Sequence, residues 1–167
     1  MNTVYIGIGS NIEREHHVLV AIEKLKNIDS SLRYSTVFEA EPVGFCGSSF
    51  FNLAVELTTS LSLSQLSSKL KTIELELGRR VDAKKNEDRT IDLDILLFGE
   101  ETSSSPKIPR DDIYKFAFAL WPLFELCPQR VIPGDGRTVA ELWHSFEHDQ
   151  VLKAVNLQHI KGSNELL

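Results

Sequence analysis

The sequence predicts an α+β protein built on a ferredoxin-like split βαβ sheet, with helices packed on one face. The order of the predicted elements indicates this fold, and the length of the chain indicates a single domain. Segments with strand-like and helix-like hydrophobic patterns follow one another as strand, helix, strand, and then again as strand, helix, strand. The chain has 167 residues, which is enough to bury a core without disulfide bonds or a structural metal. We therefore expect a single domain spanning residues 1–167.

The first strand and the first helix are marked by hydrophobic pattern and by turn residues. The apolar run Val4–Gly9 predicts a buried strand, and Ser10–Asn11 end it as turn and capping residues. A helix follows, because Val18, Ile22 and Leu25 recur at helical spacing and form one apolar face.

The next three elements are a pair of strands and a helix. Leu32–Ala40 and Phe51–Thr59 alternate between apolar and polar residues, and Glu41–Ser49 between them has the Pro, Gly and Ser content of a loop. Apolar residues at three- and four-residue spacings then predict an amphipathic helix, which Gly78 is placed to end. These residues are Leu63, Leu66, Leu70, Ile73 and Leu77.

A polar loop and an apolar strand complete the second strand-helix-strand unit. Arg79–Arg89 shows no periodicity and predicts a loop, and Ile91–Phe98 predicts a strand. Strict alternation places Ile91, Leu93, Ile95 and Leu97 on one face of this strand, and Thr90, Asp92, Asp94, Leu96 and Phe98 on the other.

The C-terminal third is less regular. Gly99–Lys107 predicts a second polar loop, and Phe116–Leu126 predicts a short helix and a turn, interrupted by Pro122. A helix near Val139–Phe146 and a last strand near Val151–Asn156 are expected after it.

Composition and charge exclude some classes of function. A net charge of −6 argues against broad electrostatic binding to nucleic acid or to anionic membranes. No apolar run approaches the ~20 residues that span a bilayer, and no signal-peptide pattern is present. Cys46 and Cys127 match no zinc or redox spacing, which is typical of thiols in a reducing compartment. We expect a cytoplasmic protein, most simply a monomer.

Asp92 and Asp94 are the strongest candidates for a metal site. Two carboxylates on one face of a strand lie about 7 Å apart at their α-carbons and repel each other unless a cation lies between them. Magnesium accepts one or two carboxylates and fills its other positions with water and substrate phosphates. A solvated acidic pair is the alternative, but the strand around Asp92 and Asp94 is otherwise strongly apolar.

The predicted loop before this strand carries five basic residues. They are Arg79, Arg80, Lys84, Lys85 and Arg89. Guanidinium groups bind phosphate oxygens in pairs, and lysines add positive charge, so a basic loop beside a metal strand suits a triphosphate. A solvated charged loop is the alternative. No Walker pattern is present, and Gly7-x-Gly9 lacks the third glycine of a dinucleotide fingerprint. Together with Asp92 and Asp94, the loop predicts a magnesium-dependent enzyme acting on a nucleoside triphosphate.

The strand around Asp92 and Asp94 also resembles a known signature. Arg89–Gly99 is similar to the signature strand of the 6-hydroxymethyl-7,8-dihydropterin pyrophosphokinases. Matching segments along nearly the whole chain are Tyr5–Asn11, Glu41–Phe45, Phe50–Asn52, Ile73–Leu75, Gly78–Arg79 and Ala119–Glu125. The resemblance implies a folate-pathway enzyme that transfers a pyrophosphoryl group from ATP to a pterin hydroxymethyl group and releases AMP.

The resemblance also implies roles for individual residues. Asp92 and Asp94 would bind two magnesium ions bridging the ATP phosphates, and Arg79 and Arg89 would join them in catalysis. The implied nucleotide site consists of Glu74, Arg79, Lys84, Lys85, Arg89, Ile95 and Arg110. The implied pterin site consists of Ala40, Glu41, Val43, Phe50, Asn52 and Phe118. A flat heteroaromatic with a polar edge suits this set of aromatic, amide and backbone groups.

Three positions depart from the pattern of the family. Asn86, Glu87 and Asp88 replace a Trp followed by Gly-Pro, Arg110 replaces a His, and Phe116 replaces an Arg. These changes leave open a second hypothesis, a pterin- or nucleotide-binding relative with altered substrate or weak turnover. A plain interaction module is a third, but it leaves Asp92 and Asp94 unexplained.

Overall fold

The computed structural model describes residues 1–78, 88 and 90–156. The strands are β1 (Asn2–Ser10), β2 (Arg33–Tyr34), β3 (Val37–Ala40), β4 (Phe50–Thr59), β5 (Asp92–Phe98), β6 (Ser103–Ser104), β7 (Lys107–Ile108) and β8 (Lys153–Val155). The helices are α1 (Arg14–Leu25), α2 (Leu63–Glu76), α3 (Asp112–Lys115), α4 (Ala117–Leu126) and α5 (Val139–Ser145). The predicted loop Arg79–Arg89 lies almost wholly outside the described residues.

A six-stranded antiparallel sheet organises the described part of the chain. Its strands run in the order β5-β1-β4-β3-β8, and the short β2 pairs with β4 beside this path. The first and last strands of the two strand-helix-strand units, β1 and β5, are therefore neighbours. This arrangement confirms the predicted α+β ferredoxin-like fold.

Helices cover both faces of the sheet, so the expectation that they pack on one face only is wrong. On the first face, α1 and α2 bury Val18 and Leu66 in a core with alternate residues of the central strands. On the second face, α4 and α5 bury Leu120 and Leu142 against a smaller core that contains Ala54 of β4. The C-terminal third thus supplies a cover for a sheet face that would otherwise expose apolar side chains.

A β-bulge in β5 changes which way its last residues face. Tyr5 pairs with Leu97 but its neighbour Ile6 pairs with Ile95, so Leu96 has no partner in the register. As a result Phe98 lies in the core beneath α1 and α2, whereas Leu97 lies in the core beneath α4 and α5. The predicted faces of Leu97 and Phe98 are therefore wrong, because strict alternation does not hold across a bulge.

Other element boundaries differ from the sequence prediction for local reasons. The expected strand Leu32–Ala40 is two strands, β2 and β3. Between them the Ser35 hydroxyl, rather than a strand carbonyl, accepts the hydrogen bond from the backbone N–H of Ala54. The expected loop Gly99–Lys107 contains most of the β6–β7 hairpin. Helix α4 continues through Pro122, since burial of Leu120 and Leu123 outweighs the lost backbone hydrogen bond.

Two helices begin with reciprocal side-chain caps. In α2 the Ser62 hydroxyl accepts a hydrogen bond from the Gln65 N–H, and the Gln65 side chain accepts one from the Ser62 N–H. Thr138 and Glu141 form the same capping box at α5. Gly78 has the positive φ of 94° expected of a residue that ends α2. No helix within the described ranges has both the length and the hydrophobicity to cross a membrane.

Candidate active site

A cavity of about 600 Å³ lies around the first half of β5. Ten of the predicted site residues line it together: Glu41, Val43, Phe50, Asn52, Glu74, Asp92, Asp94, Ile95, Arg110 and Phe118. Ala40 does not line it; it is buried at the end of β3, where it pairs with Phe50. Arg79, Lys84, Lys85 and Arg89 lie outside the described residues.

The register of the sheet places Asp92 and Asn52 in one row. Gly9 of β1 pairs with Asp92 on one side and with Asn52 on the other, so all three lie on the same face. A β-carbon at Gly9 would lie only 3.1 Å from the Asn52 Oδ1 atom and 3.9 Å from the Asp92 β-carbon. Gly9 therefore keeps open the space between a carboxylate and an amide.

Asp94 lies in a similar row beside Gly7, and its ionisation is unfavourable. Burial, followed by the neighbouring Asp92 carboxylate, raises the pKa of Asp94 to about 8, although the Arg110 guanidinium opposes the rise. A half-buried pair of carboxylates of this kind takes up either a proton or a cation. The site is thus arranged to favour binding of a positive ion.

Arg110 supplies positive charge directly beside the aspartates. Its Nη2 atom lies 3.5 Å from Asp94 Oδ1, and its Nε atom lies 3.3 Å from Asp112 Oδ2. Its backbone N–H donates to the Leu96 carbonyl at 3.0 Å, which fixes this segment against the bulge of β5. Arg110 therefore lies where it can contact both an anion in the cavity and the aspartate pair.

Glu74 connects α2 to β5, the strand that carries the two aspartates. The backbone N–H of Leu93, the residue between the two aspartates, donates to Glu74 Oε2 at 2.7 Å. Because β5 lies at the edge of the sheet, this bond satisfies a backbone group that has no strand partner on that side. Glu74 thus positions the backbone between Asp92 and Asp94.

Aromatic side chains form a further wall of the cavity. The rings of Phe116 and Phe118 are stacked nearly parallel, with centroids 4.9 Å apart and 10° between their planes. Phe45 and Phe50 meet edge to face, with centroids 6.2 Å apart. Phe116, which departs from the family pattern, lines the cavity beside Phe118 and adds a second ring to this wall.

The structure adds residues that the sequence analysis missed. Gly7 and Gly9 were considered only as a weak dinucleotide pattern, yet both line the cavity. Ser67 and Lys71 precede Glu74 by seven and three residues on α2 and also line it, as do Asp112 and Lys115. Helical spacing from Glu74 is a signal that could have found the α2 residues. Nothing local marks Asp112 or Lys115, since tertiary contacts bring them to the site.

The two aspartates fit magnesium better than a metal that needs a complete protein cage. Among the described residues, no group of three or more His, Cys, Asp or Glu side chains is arranged to hold a metal ion. Magnesium does not require one, since one or two carboxylates suffice when water and phosphate oxygens fill the octahedron. The donor set of Asp92 and Asp94, in an open cavity, meets that requirement.

Comparisons with known proteins identify a family that the chain matches over most of its length. The model of the family described as 7,8-dihydro-6-hydroxymethylpterin-pyrophosphokinase matches residues 5–128. The 2-amino-4-hydroxy-6-hydroxymethyldihydropteridine pyrophosphokinase of Aquifex aeolicus is 37% identical over 137 residues, covering 80% of this chain and 85% of that protein. The protein of the same name from Bacillus subtilis is 37% identical over 134 residues, covering 77% and 80%.

The similarity extends over most of both chains in a third relative. The Haemophilus influenzae protein of the same name is 33% identical over 160 residues, which is 92% of this chain and 98% of that protein. These matches confirm the resemblance seen in the sequence motifs. The chain belongs to the 7,8-dihydro-6-hydroxymethylpterin-pyrophosphokinase family.

Proposed function

We propose that the chain transfers a pyrophosphoryl group from ATP to the hydroxymethyl group of 6-hydroxymethyl-7,8-dihydropterin and releases AMP. As a member of this family the chain is a pyrophosphokinase, a transferase of folate biosynthesis. The observation that carries the proposal is that Asp92, Asp94, Asn52 and Phe118 line one cavity. A metal-binding pair and a surface for a flat polar ring thereby lie within reach of a single substrate complex.

The pterin half of the proposed site lies on the β4 side of the cavity. Asn52 is buried, and its amide can both donate to and accept from the polar edge of a pterin. Phe118 and Phe50 offer ring faces for stacking, and Glu41 and Val43 come from the loop between β3 and β4. We assign Ala40 an indirect part, because its pairing with Phe50 fixes the start of that loop.

The phosphate half lies on the β5 side. Asp92 and Asp94 would hold Mg²⁺, and we propose two ions bound together with ATP. When bound, magnesium would neutralise the phosphate oxygens and polarise the phosphorus under attack.

Several other side chains would contact the nucleotide. Arg110, Lys71 and Lys115 line the cavity and bring positive charge to its phosphates, and Glu74 and Ile95 line the same side. We further assign phosphate contacts to Arg79, Lys84, Lys85 and Arg89, which lie outside the described residues.

The reaction needs mainly positioning and charge stabilisation from the protein. The pterin hydroxyl oxygen attacks the β-phosphorus of ATP, the bond from that phosphorus to the oxygen bridging to the α-phosphorus breaks, and the hydroxyl proton is lost. The new product is the pterin diphosphate ester, and AMP leaves. Asn52 and Phe118 would hold the hydroxymethyl group in line, while Arg110 stabilises the charge that develops on the phosphate oxygens.

Mass analysis of the products tests this proposal. The purified protein would be mixed with ATP, magnesium and 6-hydroxymethyl-7,8-dihydropterin, and both products would be identified. We expect AMP together with a pterin carrying two phosphoryl groups. ADP with a singly phosphorylated pterin would contradict the proposal. Binding of both ligands without AMP would instead support the pterin-binding relative without turnover.

A further inference from the structure

One side chain joins the loop that follows β3 to the residues that precede β5. Asn11, which follows β1, donates from Nδ2 to the Ser48 carbonyl at 3.0 Å and to Asp88 Oδ1 at 2.7 Å. Ser48 belongs to residues 41–49, here called the pterin-side loop, because Glu41, Val43 and Phe45 of this loop line the cavity. Asp88 precedes β5 by four residues. The pair of hydrogen bonds, here called the Asn11 bridge, therefore connects the loop to the approach of the metal-binding strand.

Neighbouring contacts hold both ends of the bridge. The Ser10 hydroxyl donates to the Thr90 carbonyl at 2.5 Å, which ties the end of β1 to the residue two before Asp92. Arg14 donates from Nη1 to the Ser49 carbonyl at 3.0 Å, and its Nη2 atom lies 2.7 Å from Glu39 Oε2. The far end of the pterin-side loop is thus anchored on α1 and on β3.

Asp88 also packs directly against the backbone of the loop. A β-carbon at Gly47 would lie 2.5 Å from Asp88 Oδ1 and 3.0 Å from the Phe45 ring. Contacts shorter than 3 Å are not tolerated, so any side chain at Gly47 would push the Asp88 carboxylate aside. The hydrogen bond from Asn11 and the contact with Gly47 are two separate observations that place Asp88 on the loop.

We propose that Asp88 is a positioning residue that holds the pterin-side loop in its binding conformation through Asn11 and Gly47. The proposal rests on the proposed function, since that function assigns the loop to the pterin. Asp88 does not line the cavity, so it acts through the loop rather than on the substrate. A loop that is already held in place loses less conformational freedom when ligand binds, and the ligand then binds more tightly.

Ligand binding and kinetics of four variants test the proposal: Asp88→Ala, Asp88→Asn, Asn11→Ala, and the Asn11→Ala/Asp88→Ala double variant. Loss of one partly exposed hydrogen bond should weaken pterin binding roughly threefold to tenfold and raise KM for the pterin, with kcat nearly unchanged. Asp88→Asn keeps an oxygen that accepts from Asn11 and should bind nearly as well as wild type. The double variant should lose less affinity than the product of the two single losses, because both single variants already lack the shared Asn11–Asp88 bond. Independent, multiplicative losses would overturn the proposal.

The exposed thiol of the loop gives a readout that needs no substrate. Cys46 is exposed and Cys127 is buried, so a nitroxide label reacts selectively at Cys46. In the ligand-free protein, Asp88→Ala and Gly47→Ala should each narrow the lines in the electron paramagnetic resonance spectrum of the label. Narrower lines report greater motion of the loop. Asp149→Ala, a change at an exposed acidic residue after α5, is the matched control and should leave the spectrum unchanged. Spectra of Asp88→Ala that match wild type would overturn the proposal.

The two readouts separate failure of the inference from failure of the proposed function. If the wild type does not bind the pterin but the label responds to Asp88→Ala, the bridge stands and the substrate assignment falls. If the wild type binds the pterin and every variant matches it in both readouts, the substrate assignment stands and the bridge is wrong. Thermal unfolding of each variant shows whether a loss of binding comes from loss of the fold.

Discussion

Gly9 lets a carboxylate and an amide from different strands serve one cavity. Asp92 and Asn52 lie in the same row on either side of Gly9, which leaves the space between them open. The aspartates were predicted from the sequence because two carboxylates in an otherwise apolar strand repel each other unless a cation lies between them. The part played by Gly9 was not, since it depends on which strands are neighbours, and that is set by tertiary structure.

Replacement of either aspartate should remove nearly all turnover without unfolding the protein. Asp92→Ala and Asp94→Ala each remove a proposed metal ligand, while the packing residues of β5, such as Leu93 and Ile95, stay in the core. We expect the rate to fall by ~10² to 10⁴. Steady-state AMP formation measures the loss, and circular dichroism checks the fold. Full activity of either variant would exclude the metal assignment.

Replacement of Asn52 should separate the two ligands. Asn52→Ala removes a buried amide that pairs with the pterin edge in our proposal, so pterin binding should weaken by about 1–3 kcal/mol. ATP binding should change little. Calorimetry with each ligand alone measures both effects, and equal losses would indicate a general disturbance of the fold.

At the level of whole elements, most strands and helices were predictable and most of the errors have a tertiary cause. The hydrophobic periods of β1, α1, β4 and α2 predicted those elements to within a few residues. The sheet face on which Leu97 and Phe98 lie was not predictable, because the bulge in β5 follows from pairing with β1. Helix α4 continues past Pro122 because the second face of the sheet buries it, which no local pattern shows.

Loss of the bond between α2 and β5 should disturb the site and weaken the fold. Glu74→Ala removes the oxygen that accepts from the Leu93 N–H, and a partly buried donor left unpaired costs about 1–3 kcal/mol. Glu74→Gln keeps an accepting oxygen and is the matched control. We expect urea unfolding to show a clearly lower free energy of unfolding for Glu74→Ala and a much smaller decrease for Glu74→Gln. Equal midpoints for the two variants would contradict this role.

The turn before α5 should contribute stability that depends on pH. Asp135 accepts hydrogen bonds from Arg137 and from the Tyr114 hydroxyl of α3, and chiefly the Arg137 side chain holds the pKa of Asp135 well below its ordinary value of 3.8. A carboxylate whose pKa is lowered by folding stabilises the folded state at pH values above its ordinary pKa. This stabilisation is lost as the pH falls toward the pKa of the carboxylate in the folded state.

Asp135→Asn should therefore lower stability at pH 7, by less than ~1 kcal/mol because exposed pairs contribute little. The difference from wild type should shrink as pH falls below about 4. Urea unfolding at pH 7 and at pH 3 measures it. A difference that is constant or grows in acid would contradict the assignment.

At the scale of the whole molecule, a sheet covered on both faces leaves its active groups near one end. Both signs of charge line the cavity among the described residues: Arg110, Lys71 and Lys115 lie there together with Glu41, Glu74, Asp92, Asp94 and Asp112. The proposed magnesium ions would therefore have to lie between these carboxylates and the phosphates of a triphosphate. Sequence analysis named the two aspartates, Asn52 and Phe118 as site residues, whereas the stacking of Phe116 on Phe118 required the three-dimensional arrangement.

The rate of AMP formation with and without the pterin tests the central claim most directly. If Asp92, Asp94, Asn52 and Phe118 form one site for both substrates, AMP should appear only when the pterin is present. One AMP should then form for each pterin diphosphate released, measured by quenched-flow chromatography of a single turnover. Pterin-independent release of AMP, or ADP as the nucleotide product, would contradict the account.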